Sequence, residues 1–227
     1  MKRILTLSLA GAAMTLSVHA DIAEADRNAP LPWAVTDGAV IDFTVLRKGK
    51  PFGSHILTFD RQNDGTFQVT TDVDLDVKFG PITAYKYRLD SVEKWADEKL
   101  VSINGKSNNN GRKGKVSALA DGEQLKVDAT KYEGQVPTSI IPSSHWNRVQ
   151  MYQNQMISTE TGEILEIDVE TIGSDTILVG GAPVEATHYR LKSDITVDLW
   201  YDDQSRWVKL AFEAQDQKIE YVLNQLY

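Results

Sequence analysis

Apolar and polar residues alternate in twos along most of this chain. In TFQVTTDVDLDVKFG, Phe67, Val69, Val73, Leu75, Val77 and Phe79 share one parity, while Gln68, Asp72, Asp74, Asp76 and Lys78 share the other. A period of two is that of a long β-strand with one face buried and one face in water. Gly80-Pro81 supplies turn chemistry, and the next strand, ITAYKYRLDSV, places Tyr85, Tyr87 and Leu89 on one parity and Lys86, Arg88 and Asp90 on the other. A pairing that sets Asp76 opposite Lys86 also sets Asp74 opposite Arg88, so opposite charges are predicted to face each other on the solvent side.

The same reasoning extends to both ends. In VIDFTVLRKGKPFGSHILTF, Ile41, Phe43 and Val45 share a face, and the return strand brings His55, Leu57 and Phe59 onto it. His55 is thereby an inward-facing histidine, expected to be a core residue satisfied by a hydrogen bond rather than a ligand contact. Near the C-terminus, a four-residue loop at 202–205 predicts the pairs Leu199 with Val208, Val197 with Leu210 and Ile195 with Phe212. That register sets Trp200 beside Trp207 and Asp198 beside Lys209. A further turn at Gln215-Asp216 aligns Phe212 with Ile219, Leu210 with Tyr221 and Val208 with Leu223. Asn63-Asp64-Gly65, Asn110-Gly111, Asp121-Gly122, Gly162 and Gly180-Gly181 punctuate the rest, which reads as a hairpin meander.

Two stretches resist a strand reading. One is the arm 21–37. The other is 137–153, which holds IPSSHWNR; there Ser143 or Ser144 is predicted to cap a short helix near 143–152 carrying Trp146, Val149 and Tyr152. Trp146 is expected to be a buried plug beneath or across the open end of a curved sheet, with His145 near the rim.

The first twenty residues read as an export signal: Met1-Lys2-Arg3 is charged, residues 4–18 are apolar, and Val18 and Ala20 precede a cleavage site before Asp21. The apolar run is shorter than the roughly 20 residues a spanning helix requires, and the chain has no cysteine to carry a lipid at the cut. A soluble periplasmic protein with no integral membrane segment after cleavage is expected, built as one antiparallel β domain over 38–227. Without cysteine, disulfides and thiol chemistry are excluded. Removing Lys2 and Arg3 leaves 22 basic against 32 acidic residues, a formal charge of −10. Such a balance argues against nucleic acid as a partner, and the basic cluster Lys106, Arg112, Lys113 and Lys115 reads as a solvated hairpin tip.

Familiar catalytic patterns fail on inspection. DVDLD at 72–76 has Val and Leu as spacers and no glycine at the sixth position of a calcium loop. GKS at 105–107 lacks the earlier glycine of a phosphate-binding loop, since position 100 is Leu. His55, His145 and His188 lack metal-type spacing, and His188 reads as a polar-face residue. The adjacency of Ser144 and His145 is no argument for a triad, whose members meet in space, and there is no G-x-S-x-G elbow. No cofactor or metal site is expected.

IDFTVLRKGKPFGSHILTF, YRLDSVEKWADEKLVSINGKSNNNG, PSSHWN and VDLWYDDQSRWVKLAFEAQDQKIEYVL together resemble the exported bacterial family catalogued as domain of unknown function 6134, and more distantly its neighbour numbered 3108. The resemblance spans essentially the whole chain after the signal and transfers no catalytic residue. It implies a large curved antiparallel sheet, an open half-barrel similar to lipoprotein carriers or lipocalins, able to enclose an apolar cavity. The expected function is therefore a non-enzymatic carrier of a lipid-like or other apolar small molecule. His55, Tyr85, Tyr87, Trp95, His145, Trp146, Leu199, Phe212 and Tyr221 are its candidate binding residues. The rival readings are a structural or protein-binding component of the cell envelope with a self-filled core, and a hydrolase-type enzyme.

Overall fold

A computed structural model describes residues 35–79, 82–214 and 216–227. The expected signal peptide and nearly all of the arm 21–37 lie outside these residues, as do Gly80, Pro81 and Gln215.

Alternation in the sequence becomes a meander of sixteen strands: β1 (Val40–Arg47), β2 (Lys50–Arg61), β3 (Phe67–Phe79), β4 (Ile82–Ala96), β5 (Lys99–Asn109), β6 (Arg112–Asp121), β7 (Gln124–Ala129), β8 (Glu133–Pro137), β9 (Ile141–Pro142), β10 (Gln155–Ile157), β11 (Ile164–Glu166), β12 (Asp168–Val179), β13 (Ala182–Lys192), β14 (Thr196–Asp202), β15 (Trp207–Ala214) and β16 (Gln217–Leu223). Thirteen of them form one antiparallel sheet in the order β12-β13-β14-β15-β16-β1-β2-β3-β4-β5-β6-β7-β8. The first and last strands pair in its middle, with Phe43 opposite Leu223 and Val45 opposite Tyr221. An up-and-down barrel closes through just such a pairing of its end strands. Here the break falls elsewhere, because β8 and β12 are the two edges and residues 138–167 join them.

That connection crosses the inner face. The Trp146 indole reaches Glu93 on β4 at 3.2 Å, while the Tyr201 hydroxyl on β14 donates to the carbonyl of His145 at 2.7 Å. In a flat sheet β4 and β14, six strand spacings apart, would stand about 29 Å from each other at ~4.8 Å per strand. The sheet must curl around the segment for both to touch adjacent residues. The fold is thus an open half-barrel, as expected, and its connection 138–167 is a plug carrying β9, β10 and β11 as a small second sheet.

Two glycines show how tightly the plug lies. A Cβ at Gly105 would stand 2.5 Å from the carbonyl oxygen of Thr159, and one at Gly114 would stand 2.4 Å from that of Glu160. The glycine that makes GKS look like a phosphate loop is there because plug backbone passes over it. Ser107, next on that face, donates to the Glu160 carbonyl at 3.1 Å.

Most registers follow the sequence reading. Asp74 opposes Arg88 and Asp76 opposes Lys86, with Arg88 bridging both aspartates at 2.8 and 3.0 Å. Ile41 meets Leu57 and Phe43 meets His55. Phe212 meets Ile219, and Leu210 meets Tyr221. The β14–β15 hairpin is a correction: Leu199 pairs with Leu210 and Val197 with Phe212, a slip of two from the expected register. Asp202 causes it, since its carboxylate accepts the Gln204 and Arg206 amides and its own amide donates to the Arg206 carbonyl, with a bulge at Trp200/Tyr201. A slip of two keeps Val197, Leu199, Leu210 and Phe212 on their face, but the bulge sets Trp207 opposite Tyr201 and turns it inward, away from the expected place beside Trp200. Trp200 then lies under Lys209, whose ammonium stands 4.6 Å from the ring centre, and Asp198 pairs with Arg190 instead of Lys209.

The expected helix is also shorter than 143–152. It is a single 3₁₀ turn, Arg148–Tyr152, capped by the Asn147 side chain rather than by a serine. Arg148, Gln150 and Met151 are its buried residues, so the spacing of Trp146, Val149 and Tyr152 does not define its packed face.

Candidate ligand-binding site

The interior divides into a floor, where the plug meets β2, β4 and β15, and a rim at the start of β4 and the end of β5. Trp146 fixes the floor. Its ring meets Trp95 at 5.4 Å and Phe59 at 5.5 Å, both edge to face, and it is 1% exposed, as expected of a plug. Trp95 and Trp146 both donate their indole N–H to the same oxygen of Glu93, at 2.9 and 3.2 Å, and Ser144 donates to that carboxyl as well. Burial raises the Glu93 pKa, and these three donors pull it partly back.

Trp207 closes the floor from the other half of the sheet. It packs on Phe43 at 4.4 Å, His55 at 5.5 Å and His145 at 5.8 Å. Desolvation lowers the pKa of His55 to about 3, with His145 adding repulsion, and lowers that of His145 to about 4. Both rings are neutral. His145 Nδ1 lies 3.0 Å from the side-chain amide nitrogen of Gln150. Ser144 and His145 therefore engage different partners, Glu93 and Gln150, and the expected hydrogen bond of His55 is not made. His145 is only half-buried and adopts a left-handed backbone, φ 64°, which turns its carbonyl towards Tyr201.

At the rim, Tyr85 and Tyr87 stand on β4, Phe212 on β15 and Tyr221 on β16, all but Tyr221 partly exposed. Tyr221 packs on Phe212 at 6.5 Å and edge-on to His55 at 5.6 Å. Tyr85 donates to the Asn109 amide oxygen at 3.1 Å. Tyr87 donates to the carboxylate of Glu160, a plug residue whose pKa burial raises; burial first, and Glu160 after it, raise those of Tyr85, Tyr87 and Tyr221. Three tyrosines thus share one half-buried carboxyl, with Phe212 packed on one of them.

The sequence-predicted residues therefore fall into two groups. Tyr85, Tyr87, Phe212 and Tyr221 converge on the rim. Trp95, Trp146 and Leu199 are sealed in the packing at 0–1% exposure, and His55 and His145 lie between. Glu93 and Glu160 were missed. Glu93 had a signal, a carboxylate on the inward parity of β4, whereas Glu160 had none. Among the described residues no group of three His, Asp or Glu could hold a metal ion, and no helix is long and apolar enough to cross a membrane.

An open antiparallel half-barrel with a plugged interior is the class that this geometry defines. The chain belongs to the family described as domain of unknown function DUF6134, whose sequence model matches residues 43–224. Its fold is similar to the crystal structure of a β-barrel-like protein of the domain of unknown function DUF1849 from Brucella abortus, with a TM-score of 0.53 at 10% identity over 82% of this chain and 95% of that one. No curated protein matches the chain.

Proposed function

We propose that this is an exported periplasmic binding protein, without enzymatic activity, that holds a lipid-like or otherwise apolar small molecule at its aromatic rim. The observation that carries the reading is the cluster of partly exposed rings, Tyr85, Tyr87 and Phe212 beside Tyr221, at the mouth of a curved sheet. Binding sites are concave, mostly apolar and provided with a few polar groups that fix orientation; here the Glu160 carboxyl and the tyrosine hydroxyls are those groups. The ligand lies above the plug, since Trp95, Trp146 and Leu199 are sealed in the packing. Native mass spectrometry and lipid extraction of the protein purified from its own periplasm should reveal apolar mass that Phe212→Ala and Tyr85→Ala reduce. A clean apo protein that also ignores fluorescent fatty-acid probes overturns the proposal.

The tryptophan-filled floor favours a second reading, an envelope component whose interior is its own core and whose partner is another protein. That reading expects no bound apolar mass and capture of one defined envelope protein.

A further inference from the structure

Beneath the plug the inner face of β2–β4 is not apolar. His55, Thr71, Ser91 and Glu93 are 6%, 2%, 1% and 0% exposed. The register makes them neighbours. Thr71 stands directly opposite Ser91, Glu93 follows Ser91 by two residues on the same face, and His55 opposes Val73, the inward residue next to Thr71. They form one diagonal stripe across three strands, bounded by Leu57, Val69, Val73 and Leu89.

Among the described residues, five atoms of this stripe have no hydrogen-bond partner: both ring nitrogens of His55, Thr71 Oγ1, Ser91 Oγ and Glu93 Oε1. A buried polar atom left unsatisfied keeps the full cost of its lost hydration. Five together would remove a large part of the small margin by which a folded domain is stable. Native proteins keep only a few such atoms per hundred residues, and rarely side by side. The strands give no reason for the polarity, because Val or Leu fits the same rows.

The chemistry of the stripe restricts its partner. A neutral imidazole offers one donor and one acceptor, each hydroxyl offers both, and a carboxyl with a raised pKa adds to this mixed set. Such a mixture of donors and acceptors suits a small partner that both donates and accepts. The plug passes directly above: the Thr159 carbonyl lies over Gly105, the residue opposite Ser91, and Gln150 is fully buried.

We infer that this stripe is an internal solvation site, a short string of ordered water molecules held between the inner face of β2–β4 and the plug and bridging His55, Thr71, Ser91 and Glu93. A buried water makes about three hydrogen bonds to groups otherwise unsatisfied, so five atoms plus the plug's polar groups call for roughly two. The plug is then seated on a wet seam along β2–β4 and a dry one at its tryptophans. His55, edge-on to Tyr221, separates that water from the rim.

The test uses the whole mature protein. Oxygen-17 magnetic relaxation dispersion reports long-lived internal water, and Thr71→Val and Ser91→Ala remove one site atom each with little change of shape. The wild type should show a dispersion amplitude of about two water molecules, which Thr71→Val and Ser91→Ala each reduce while lowering the urea midpoint. A high-resolution crystal structure should place density within hydrogen-bonding distance of Thr71 Oγ1 and Ser91 Oγ. The amplitude decides: no long-lived water in the wild type, or an amplitude that neither variant changes, overturns the inference. Density too large for water at these atoms overturns it as well. A Thr71→Val protein that is more stable than wild type, as an unsolvated orphan hydroxyl requires, counts against it equally.

Discussion

The floor and the rim are built by the same strands with the same alternation, yet they differ in what covers them. At the floor, Trp95 and Trp146 put two indole N–H groups into one carboxyl, and the plug excludes solvent from everything nearby. At the rim, Tyr85, Tyr87 and Phe212 keep part of their surface in water, and the plug contributes Glu160 among them. Large apolar area at the floor is therefore spent on stability, whereas the rim leaves apolar area available for a partner. Curvature alone does not make a binding cavity; the placement of the plug decides which part of the concave face remains usable.

The sharpest way to break this contrast is Trp146→Ala. Removing a fully buried indole from a packed interior costs about 3–5 kcal/mol and orphans a Glu93 bond, so the urea midpoint should collapse. A loss under about 1 kcal/mol would mean that the plug is not the floor's core.

Acidification comes next. In the unfolded chain His55 and His145 take up protons as pH falls through about 6.5, but in the folded protein they do so only near about 3 and about 4. Stability should therefore fall as pH drops from about 6.5 to 4, at about 1.4 kcal/mol per pH unit for each proton that only the unfolded chain has bound. Glu93 and Glu160 act in the opposite sense. Their raised values contribute stability that is full below the ordinary glutamate range and is lost as pH rises through the folded values, which softens the acid loss. Urea midpoints between pH 7.5 and 4 measure the balance, and His145→Gln should flatten the curve. A midpoint that does not move on acidification contradicts a neutral pair.

Gly105→Ala tests the seating of the plug with less force. A methyl group 2.5 Å from the Thr159 oxygen must push backbone aside, at about 1–3 kcal/mol. Amide exchange should rise in 156–164 rather than in the hairpins. The smallest stability effect belongs to the rim: Tyr85→Ala should cost under about 1 kcal/mol yet weaken fatty-acid probe binding severalfold. A large stability loss there would erase the distinction between the two ends.

Much of this was legible in the chain. Parity marked the inward faces of β1 to β4, and apolar matching aligned β15 with β16. It missed the β14–β15 register by two residues, because the turn is set by Asp202 capping its own loop, and it missed the inward turn of Trp207, because the bulge at Trp200/Tyr201 breaks the parity there. The aromatic residues of the rim were legible as inward-facing rings, but nothing local indicated that Tyr85 and Phe212 would remain uncovered while Leu199 would not. Glu93, Ser91 and Thr71 stood in plain view on the inward parity of β3 and β4. Polar residues at such positions ask what satisfies them, and only their adjacency across the sheet joins the three questions into one.

The sequence by itself determined the strands, their faces and most of their pairings, because a period of two and turn chemistry are local and each strand carries its own pattern. Only the tertiary structure decided where the barrel opens and what enters it. The plug at 138–167 has no repeating pattern to betray its path, and its position follows from contacts with β4, β5 and β14, strands distant from it in the chain. Trp146 could be recognised as a residue that would be buried; that it would be buried against Glu93 is a fact of the curled sheet.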